Sequence, residues 1–365
     1  MANIQAHYGT NMNDVLDIAQ QFRYIESAKA TRLASGNIQE TFLISGPEGS
    51  NDFKFILQKI NTSIFLNPEH LIENHQRLEK HLASEKRELI IPRLMKNLEG
   101  SMVLHQGSSC WRAQEFVPQS RTFEQVPNSD IAFEGAFMVG QFTASFLDLD
   151  PTNLHTIIPE FHNLKRYLNE FHLAIEADVA NRLSSCADEL NRISELETAM
   201  VALFENTRSL PNRVCHNDTK ISNILFDMKS NKAIKVIDLD TVMLEKVIFD
   251  YGDMVRSFLC LADENETDIS KVVVRGDIFE AMTKGYLSVT KSLLEKNEKR
   301  ELFSGGLLIT YEQVVRFLGD YLRNDTYYHT DYTNHNLDRA KNQIRVLDQL
   351  LEREAEFIKI IEKYS

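Results

Sequence analysis

Hydrophobic and polar residues alternate along much of the first third of the chain, which favours β-strands over helices. The stretches "TRLAS", "ETFLIS" and "FKFILQKI" show this alternation, and short glycine-containing turns join them into a predicted antiparallel sheet. A helical spacing follows in "PEHLIENHQRLEKHLASE", with Pro68 in its first turn. "LIIPRLM", "SMVLH" and "CWRAQEFV" predict further strands. We therefore expect a sheet with one helix here.

After Pro118 the hydrophobic spacing becomes helical. A polar loop and a short hairpin, "ILFDMKSNKAIKVIDLDTV", interrupt this helical part. The sequence therefore predicts an α+β fold with an N-terminal lobe over 1–117, a larger helical lobe over 118–365 and a cleft between them. The predicted helices are Ser129–Leu147, Phe161–Ala177, Val179–Asn206, Asp277–Leu294, Leu307–Tyr321 and Leu337–Tyr364.

Composition and charge narrow the possible partners. The chain has 365 residues, 43% of them hydrophobic, and a formal net charge of -13. Nucleic acid and anionic membrane surfaces are therefore not expected as partners. We find neither a secretory leader nor an apolar run of membrane-spanning length, which predicts a cytoplasmic protein. Four dispersed cysteines predict free thiols, and the oligomeric state is left open.

The polar loop "RVCHNDTKISNILFD" concentrates hydrogen-bonding groups in a short segment. Asp218 and Asn223 lie five residues apart, and Asp238 follows after the hairpin. Oxygen ligands of this kind suit Mg²⁺, which usually takes only a few ligands from protein. A carboxylate held off the metal would be free to accept a proton, as phosphoryl transfer to a hydroxyl requires.

The order H-x-D-x-K-x-x-N, a hairpin and then Asp resembles the catalytic loop of the protein-kinase-like fold. "HNDTKISNIL", "VIDLDT" and "FDYGD" are more similar to its aminoglycoside phosphotransferase and choline kinase branch, in particular to the N-acetylhexosamine 1-kinases. "FILQKINTSIF" and "RFLGDYLRNDTYYHTDYTNHNLDRAKNQ" extend this resemblance to both predicted lobes. It implies an ATP- and Mg²⁺-dependent kinase that phosphorylates the anomeric hydroxyl of N-acetylglucosamine or N-acetylgalactosamine.

The resemblance also implies roles for single residues. Asp218 corresponds to the catalytic base, and Lys220 to a cation that faces the transferring phosphoryl group. Asn223 and Asp238 correspond to metal ligands, and Asp240 to a second ligand or a residue that orients the loop. His216 is expected to organise the loop by hydrogen bonds, and Asp250 and Asp253 in "FDYGD" are expected to support it structurally.

The nucleotide side departs from the protein kinases. "LASGNIQETFLIS", with Gly36 and Asn37, resembles a phosphate-covering turn, although an ordinary hairpin turn explains it equally well. Gln58 stands where protein kinases place a phosphate-pairing lysine, and Lys59 follows it. Because side chains alternate across a strand, only one of them can face the cleft, and the neighbouring apolar residues favour Gln58. The connector is expected to present Gln114, Glu115 and Val117 to the purine.

The last third should recognise the phosphate acceptor. Arg316 and Tyr327, with Asp320 and Tyr332 nearby, match a segment that contacts sugar in the resembled enzymes, and an arginine fork suits hydroxyl and carbonyl oxygens. Asp218 is expected to contact the acceptor as well. "LLITYEQVVRFLGDYL" is an amphipathic helix, however, on which an arginine and a tyrosine are nearly as plausible as purely structural residues. Ser257 replaces an aromatic residue of the resembled enzymes, which leaves the sugar open.

Two other functions remain open at this point. The acidic balance would suit a kinase for a cationic acceptor such as an aminoglycoside or choline, although Arg316 in the pocket argues against it. The missing lysine raises the possibility of a non-catalytic nucleotide-binding protein of the same fold, but the retained base and metal ligands argue against that.

Overall fold

The structure is a computed structural model that describes residues 10–25, 27–33, 39–48 and 51–365. Gly36 and Asn37, the residues assigned to the phosphate-covering turn, lie outside the described residues. None of the helices in the described ranges combines the length and apolar character that a membrane crossing requires.

An antiparallel sheet dominates the N-terminal part of the chain, in the order β1-β2-β3-β6-β4, with β5 also paired to β6. Alternate side chains of β2, β3 and β6, including Phe42, Leu57 and Trp111, pack with helix α1 into a small core. The opposite face of the sheet is therefore left for polar residues. The elements are α1 (Met12–Phe22), β1 (Lys29–Arg32), β2 (Glu40–Glu48), β3 (Asn51–Ile60), α2 (Pro68–Ser84), β4 (Leu94–Met95), β5 (Leu104–Gln106) and β6 (Ser109–Glu115).

The chain leaves the sheet at the end of β6 and enters a helical region. Strand β7 (Ser120–Arg121) pairs with β9 (Ile224–Asp227), which also pairs with β10 (Ala233–Val236). Strand β8 (Arg213–Cys215) pairs with β11 (Met243–Glu245). The segment between β6 and β7 thus joins the N-terminal sheet to the small sheets that carry the polar loop.

Helices build the larger core around α9, which is buried along most of its length. Helix α6 packs closely on α9, where a Cβ atom on Gly252 would lie 2.3 Å from the carbonyl oxygen of Gly305. The predicted α+β fold is confirmed. The helices are α3 (Ser129–Ser145), α4 (Leu164–Ala177), α5 (Ala187–Thr207), α6 (Val247–Phe258), α7 (Gly276–Thr290), α8 (Lys296–Arg300), α9 (Leu302–Leu322), α10 (His335–Glu352) and α11 (Glu354–Tyr364).

Several predicted helix boundaries were wrong. The helices predicted over 161–177, 277–294 and 307–321 are Leu164–Ala177, Gly276–Thr290 and Leu302–Leu322. Two larger differences have a local cause. The helix predicted from Val179 begins only at Ala187, because Asp178 adopts a left-handed conformation with φ 32° and its carboxylate accepts the backbone N–H of Arg182. The helix predicted over Leu337–Tyr364 is two helices separated at Arg353, whose guanidinium binds the carbonyl of Val274.

Candidate active site

The polar loop brings Asp218, Lys220 and Asn223 into direct contact. Lys220 Nζ and Asn223 Nδ2 each lie 2.9 Å from Asp218 Oδ2, and Asn223 Nδ2 also donates to the Asp218 carbonyl at 2.8 Å. A 3₁₀ turn over Ile221–Asn223 returns the chain to the loop and makes these contacts local. Since the amide nitrogen of Asn223 is used by Asp218, its oxygen is left for another partner such as a cation.

Buried hydrogen bonds fix the backbone of this loop. Asp250 Oδ2 accepts the backbone N–H of His216 at 2.9 Å, and Asp250 Oδ1 accepts that of Asn217 at 2.7 Å. The His216 ring binds the carbonyl of Ile237 at 3.0 Å. The structural roles expected for His216 and Asp250 are therefore confirmed. Asn217 itself is held in a left-handed conformation, with φ 65°.

The charge state of Asp218 suits a base. Burial disfavours its charged form, but the ammonium group of Lys220, the His216 ring and the Asn223 amide favour it more strongly, so the pKa of Asp218 lies below its usual value. The same contact with Asp218 raises the pKa of Lys220. Asp218 is therefore ionised at neutral pH and able to accept a proton.

Asp238 carries a charge beside this loop that Lys220 and His216 compensate only in part. Burial, together with the negative charges of Asp240 and Asp218, raises the pKa of Asp238 to about 6. Within the described residues no side chain or backbone group donates a hydrogen bond to its carboxylate. Asp238 adopts a left-handed conformation, with φ 62°. An ionisation that is disfavoured in this way is what a bound cation would reverse.

The donor set at Asp238 is small. Within the described ranges there is no cluster of three or more His, Cys, Asp or Glu side chains that could hold a metal ion by itself. Mg²⁺ commonly takes one or two carboxylates from protein and completes its octahedron with phosphates and waters. Asp238 and the free amide oxygen of Asn223 are compatible with that pattern.

Asp240 is engaged by other side chains. Its Oδ1 lies 2.5 Å from Arg112 Nη1, and its Oδ2 accepts a hydrogen bond of 2.7 Å from Gln39. The carboxylate is buried in these contacts. Oδ1 nevertheless has no hydrogen-bond partner within the described residues, so both roles considered for Asp240, loop-orienting residue and second metal ligand, remain predictions.

The inner face of the N-terminal sheet presents Gln58 as expected from strand alternation. Gln58 Nε2 donates to Thr41 Oγ1 at 3.2 Å, and its Oε1 accepts hydrogen bonds from Arg112 and Gln114. Lys59 lies on the opposite face, where its Nζ is 3.6 Å from Glu40 Oε1.

Sequence analysis did not identify Arg112 as part of the site. It lies directly opposite Gln58 in the pairing of β3 with β6, and it is almost completely buried. The signal was available, because a lone arginine stands on the strand face opposite to that of Trp111 and Ala113, which are core residues.

The connector residues lie where the sheet ends. Gln114 Nε2 donates to Gln58 at 3.0 Å, so its side chain points to the inner face. The backbone N–H of Glu115 donates to the carbonyl oxygen of Arg93, and the carbonyl of Val117 accepts a hydrogen bond from the Ser120 hydroxyl. The nucleotide contacts assigned to these residues remain a prediction.

Arg316 lies in a cluster of aromatic side chains. Its guanidinium carbon is 5.0 Å from the ring centroid of Tyr167, 5.9 Å from that of Tyr327 and 5.7 Å from that of Tyr328. Glu312, one turn earlier on α9, lies 3.6 Å from Arg316 Nη1. Tyr327 is 48% exposed, so one aromatic side chain of this cluster is accessible to a ligand.

One buried carboxylate fixes the backbone of the segment that carries Tyr327 and Tyr328. Asp320 accepts the backbone N–H groups of Thr326, Tyr327 and Tyr328 at 2.9 to 3.0 Å. The amide of Asn336 also donates to Asp320 at 3.0 Å. Asp320, which the sequence placed near the sugar-contacting residues, is therefore the structural support of this segment.

A second buried arginine, Arg256, pairs with acidic side chains and is also under the influence of Asp218 in the polar loop. Arg256 binds Asp253 Oδ1 at 3.0 Å and lies 3.5 Å from Glu264. Burial opposes its charge, but Asp253, Glu264 and Asp218 together raise the pKa of Arg256. Asp253 Oδ2 is buried and has no hydrogen-bond partner within the described residues. A purely structural role, as expected for Asp253, explains the contact of Oδ1 with Arg256 but does not explain why Oδ2 is buried.

His162 is buried near this cluster and stacks on Phe249 with ring centroids 4.9 Å apart. Burial lowers the pKa of His162, but the carboxylates of Glu312, Glu245 and Asp253 outweigh that effect, so the pKa lies above its usual value. Nothing in the spacing of the sequence had indicated this residue.

Both the sequence and the fold of the chain match known proteins. Residues 29–278 match the sequence profile of the Phosphotransferase enzyme family, a match that covers more than half of the chain and includes the polar loop. The chain belongs to the Phosphotransferase enzyme family. The predicted phosphotransferase activity class and the resemblance to the aminoglycoside phosphotransferase branch are thereby confirmed at the level of the family.

Solved structures similar to this phosphotransferase share its fold at low sequence identity. A microcompartment-associated aminopropanol kinase superposes with a TM-score of 0.67 at 13% identity, over 95% of this chain and 98% of the other. A choline kinase from Cryptosporidium parvum gives 0.56 at 12% identity, over 94% and 97%. Spectinomycin phosphotransferase in complex with ADP and spectinomycin gives 0.58 at 13% identity, over 97% and 98%. These likenesses show the kinase-like fold.

Proposed function

We propose that this phosphotransferase is an ATP- and Mg²⁺-dependent kinase that phosphorylates the anomeric hydroxyl of a neutral N-acetylhexosamine, N-acetylglucosamine or N-acetylgalactosamine, to give the sugar 1-phosphate. The ionised Asp218 and its contacts with Lys220 and Asn223 support the kinase reaction. The ADP complex of spectinomycin phosphotransferase, which has the same fold, supports a nucleotide co-substrate. A reaction that consumes ATP is also consistent with a cytoplasmic location.

The observation that carries the acceptor assignment is the pairing of acids with arginines beside the loop. Arg256 pairs with Asp253 and Glu264, and Arg316 pairs with Glu312. A cationic acceptor would meet these arginines, whereas a neutral pyranose could use them as donors to its hydroxyl and acetamido oxygens. The rings around Arg316 supply an aromatic surface for the apolar face of a sugar.

The reaction assigns distinct tasks to the residues of the loop. Asp218 orients the anomeric hydroxyl and accepts its proton as the phosphoryl group moves from ATP to that oxygen and ADP leaves. Lys220 stabilises the negative charge of the transferring group. Asn223 and Asp238 would hold Mg²⁺, which neutralises phosphate charge when it is bound. Asp240 is assigned to orienting the loop.

The nucleotide is assigned to the inner face of the N-terminal sheet. Gln58 and the turn with Gly36 and Asn37 would lie near the phosphates, and Gln114, Glu115 and Val117 near the purine. We assign the boundary between the N-terminal lobe (1–117) and the helical lobe (118–365) to a point after Val117, in the segment that joins β6 to β7.

A screen followed by product analysis tests this proposal. Mg-ATP consumption is measured with N-acetylglucosamine, N-acetylgalactosamine, unmodified hexoses, choline, aminopropanol, spectinomycin and kanamycin. Phosphorus NMR of the product should show coupling of the phosphate to the anomeric proton. Phosphate on the 6-hydroxyl, or turnover with the cationic acceptors alone, would refute the assignment. Asp218→Asn should still bind both substrates but turn over poorly, because only the proton acceptor is lost.

A cationic amino alcohol or aminoglycoside is the second candidate acceptor. The free, buried Asp253 Oδ2 favours it, because a carboxylate oxygen without a partner can accept a hydrogen bond from an ammonium group.

Two variants separate the acceptor candidates. For a neutral sugar, Arg316→Met should raise the KM for the acceptor by about tenfold or more, the loss of one or two good hydrogen bonds, with an unchanged KM for ATP. Asp253→Asn should then have the smaller effect. The reverse order would identify a cationic acceptor.

A further inference from the structure

A buried ion pair joins the N-terminal sheet to the loop that carries Asp238. Arg112 Nη1, on β6, lies 2.5 Å from Asp240 Oδ1, and the two side chains are only 1% and 4% exposed. Asp240 follows Asp238 by two residues in the 3₁₀ turn Leu239–Thr241. The position of the pair therefore determines how that turn sits relative to the sheet.

Neutral side chains fix both members of the pair. Arg112 Nε donates to Gln58 Oε1 at 2.9 Å, and Gln114 Nε2 donates to the same oxygen at 3.0 Å. Gln39 Nε2 donates to Asp240 Oδ2 at 2.7 Å. These contacts leave the guanidinium little freedom to turn away from Asp240.

Stability alone does not account for the pair. Desolvation of two buried charges offsets most of their attraction, and apolar residues of the same volume usually stabilise a fold as well or better. Arg112 Nη2 and Asp240 Oδ1 are also buried with no hydrogen-bond partner within the described residues, so the pair is a charge contact without hydrogen-bond geometry, which adds a further cost. A positional role explains why an arginine occupies this place.

Arg112 also places a cation opposite the neutral residue at position 58. Gln58 lies on the inner face without charge, and Lys59 points to the other face. We propose that Arg112 is a positioning residue of the active site, whose ion pair with Asp240 keeps the Asp238 turn in register with the sheet that binds the nucleotide. This inference rests on the proposed kinase function.

The backbone conformation at Asp238 indicates why this turn needs the ion pair between Arg112 and Asp240. A left-handed conformation of a residue with a side chain persists only where its surroundings enforce it. If the turn relaxes, Asp238 moves relative to the nucleotide, and a displacement of about 1 Å in a catalytic group costs roughly 10²-fold in rate.

The first test uses Arg112→Met, Asp240→Asn, the double variant and Arg112→Lys. Each single change leaves one buried charge unpaired and should lower the melting temperature, whereas the double variant should recover it because neither charge remains. We expect kcat to fall by about 10²-fold in both single variants and to stay equally low in the double variant, since the ion pair remains broken. Arg112→Lys should retain most of the rate, because it keeps the ion pair.

The second readout is nucleotide binding without turnover. Calorimetry measures the affinity for the non-hydrolysable analogue AMP-PNP in Mg²⁺ and in EDTA, and the ratio of the two affinities reports the coupling of metal to nucleotide. The double variant should reduce this ratio by about fivefold or more, the lower range of common coupling factors. The control is Arg192→Met with Asp348→Asn, which removes an Arg–Asp pair of 2.6 Å between α5 and α10 and should leave kcat and the ratio unchanged.

Three results would overturn the inference. If kcat recovers together with the melting temperature in the double variant, the pair only compensates charge. If only the variants with Asp240→Asn lose activity and the affinity ratio, Asp240 is a metal ligand and Arg112 does not position it. If the wild-type protein fails to bind AMP-PNP at all, the proposed function itself is refuted, and this inference with it.

Discussion

Asp250→Asn tests how strongly the catalytic loop depends on one buried carboxylate. The two oxygens of Asp250 each accept one backbone N–H, from His216 and from Asn217. An asparagine has a single acceptor oxygen, so its NH₂ group must face one of these two donors. The variant therefore loses one hydrogen bond and leaves a buried N–H without a partner.

The expected magnitude follows from that geometry. A hydrogen bond to a charged acceptor contributes about 1.5–3 kcal/mol, and a buried donor left without a partner costs about 1–3 kcal/mol. Because these two quantities partly describe the same event, we expect the free energy of unfolding to fall by about 2–4 kcal/mol. Asn217 would also be released from its left-handed conformation, so kcat should fall by about 10²-fold through displacement of Asp218.

Urea unfolding and steady-state kinetics measure both effects. Asp227→Asn is the matched control, because Asp227 accepts the backbone N–H groups of Lys229 and Ser230 through one oxygen, Oδ1, which asparagine retains. This control should change the unfolding free energy much less and leave kcat unaltered. Equal effects of the two substitutions, or a normal kcat for Asp250→Asn in the folded state, would refute the reasoning.

Three further predictions concern single side chains. Asp238→Ala should abolish nearly all turnover with Mg-ATP, because the proposed metal ligand is lost, while the fold should survive in circular dichroism; near-normal activity would exclude it as a metal ligand. Lys220→Ala should lower kcat by about 10²-fold or more with little change in the KM for ATP, and the opposite pattern would show a ground-state contact. The pKa of His162 is raised in the folded protein, so its contribution to stability is fully present below the unfolded pKa and is lost as pH rises through the folded pKa. His162→Gln should therefore flatten the dependence of the melting temperature on pH in this range. An unchanged pH dependence would contradict the assignment.

The sequence predicts the loop well because its chemistry is local. Asp218, Lys220 and Asn223 lie within six positions, and one 3₁₀ turn brings them together. Strand alternation likewise predicted that Gln58 and Lys59 face opposite sides, since the period of a strand is two residues wherever the pairing is regular.

Contacts between distant segments could not be derived in this way. The spacing of residues contains nothing that pairs Arg112 with Asp240, because that contact depends on how the sheet is placed over the turn. The start of α5 was missed for a local reason: Asp178, directly after α4, adopts a conformation that non-glycine residues seldom take, and only its contact with the backbone N–H of Arg182 shows that no helix resumes at Val179.

The carboxylate of Asp320 fixes the backbone of the segment that carries Tyr327 and Tyr328 without contacting their side chains through these hydrogen bonds. It holds the N–H groups of residues 326 to 328, and these contacts do not depend on which side chains those residues carry. Substitutions at Tyr327 and Tyr328 should therefore change the side-chain surface around Arg316 without unfolding the segment. Under the proposed function, natural variation or laboratory evolution could test new acceptors at these two positions, whereas a substitution of Asp320 should leave the three N–H groups without their acceptor.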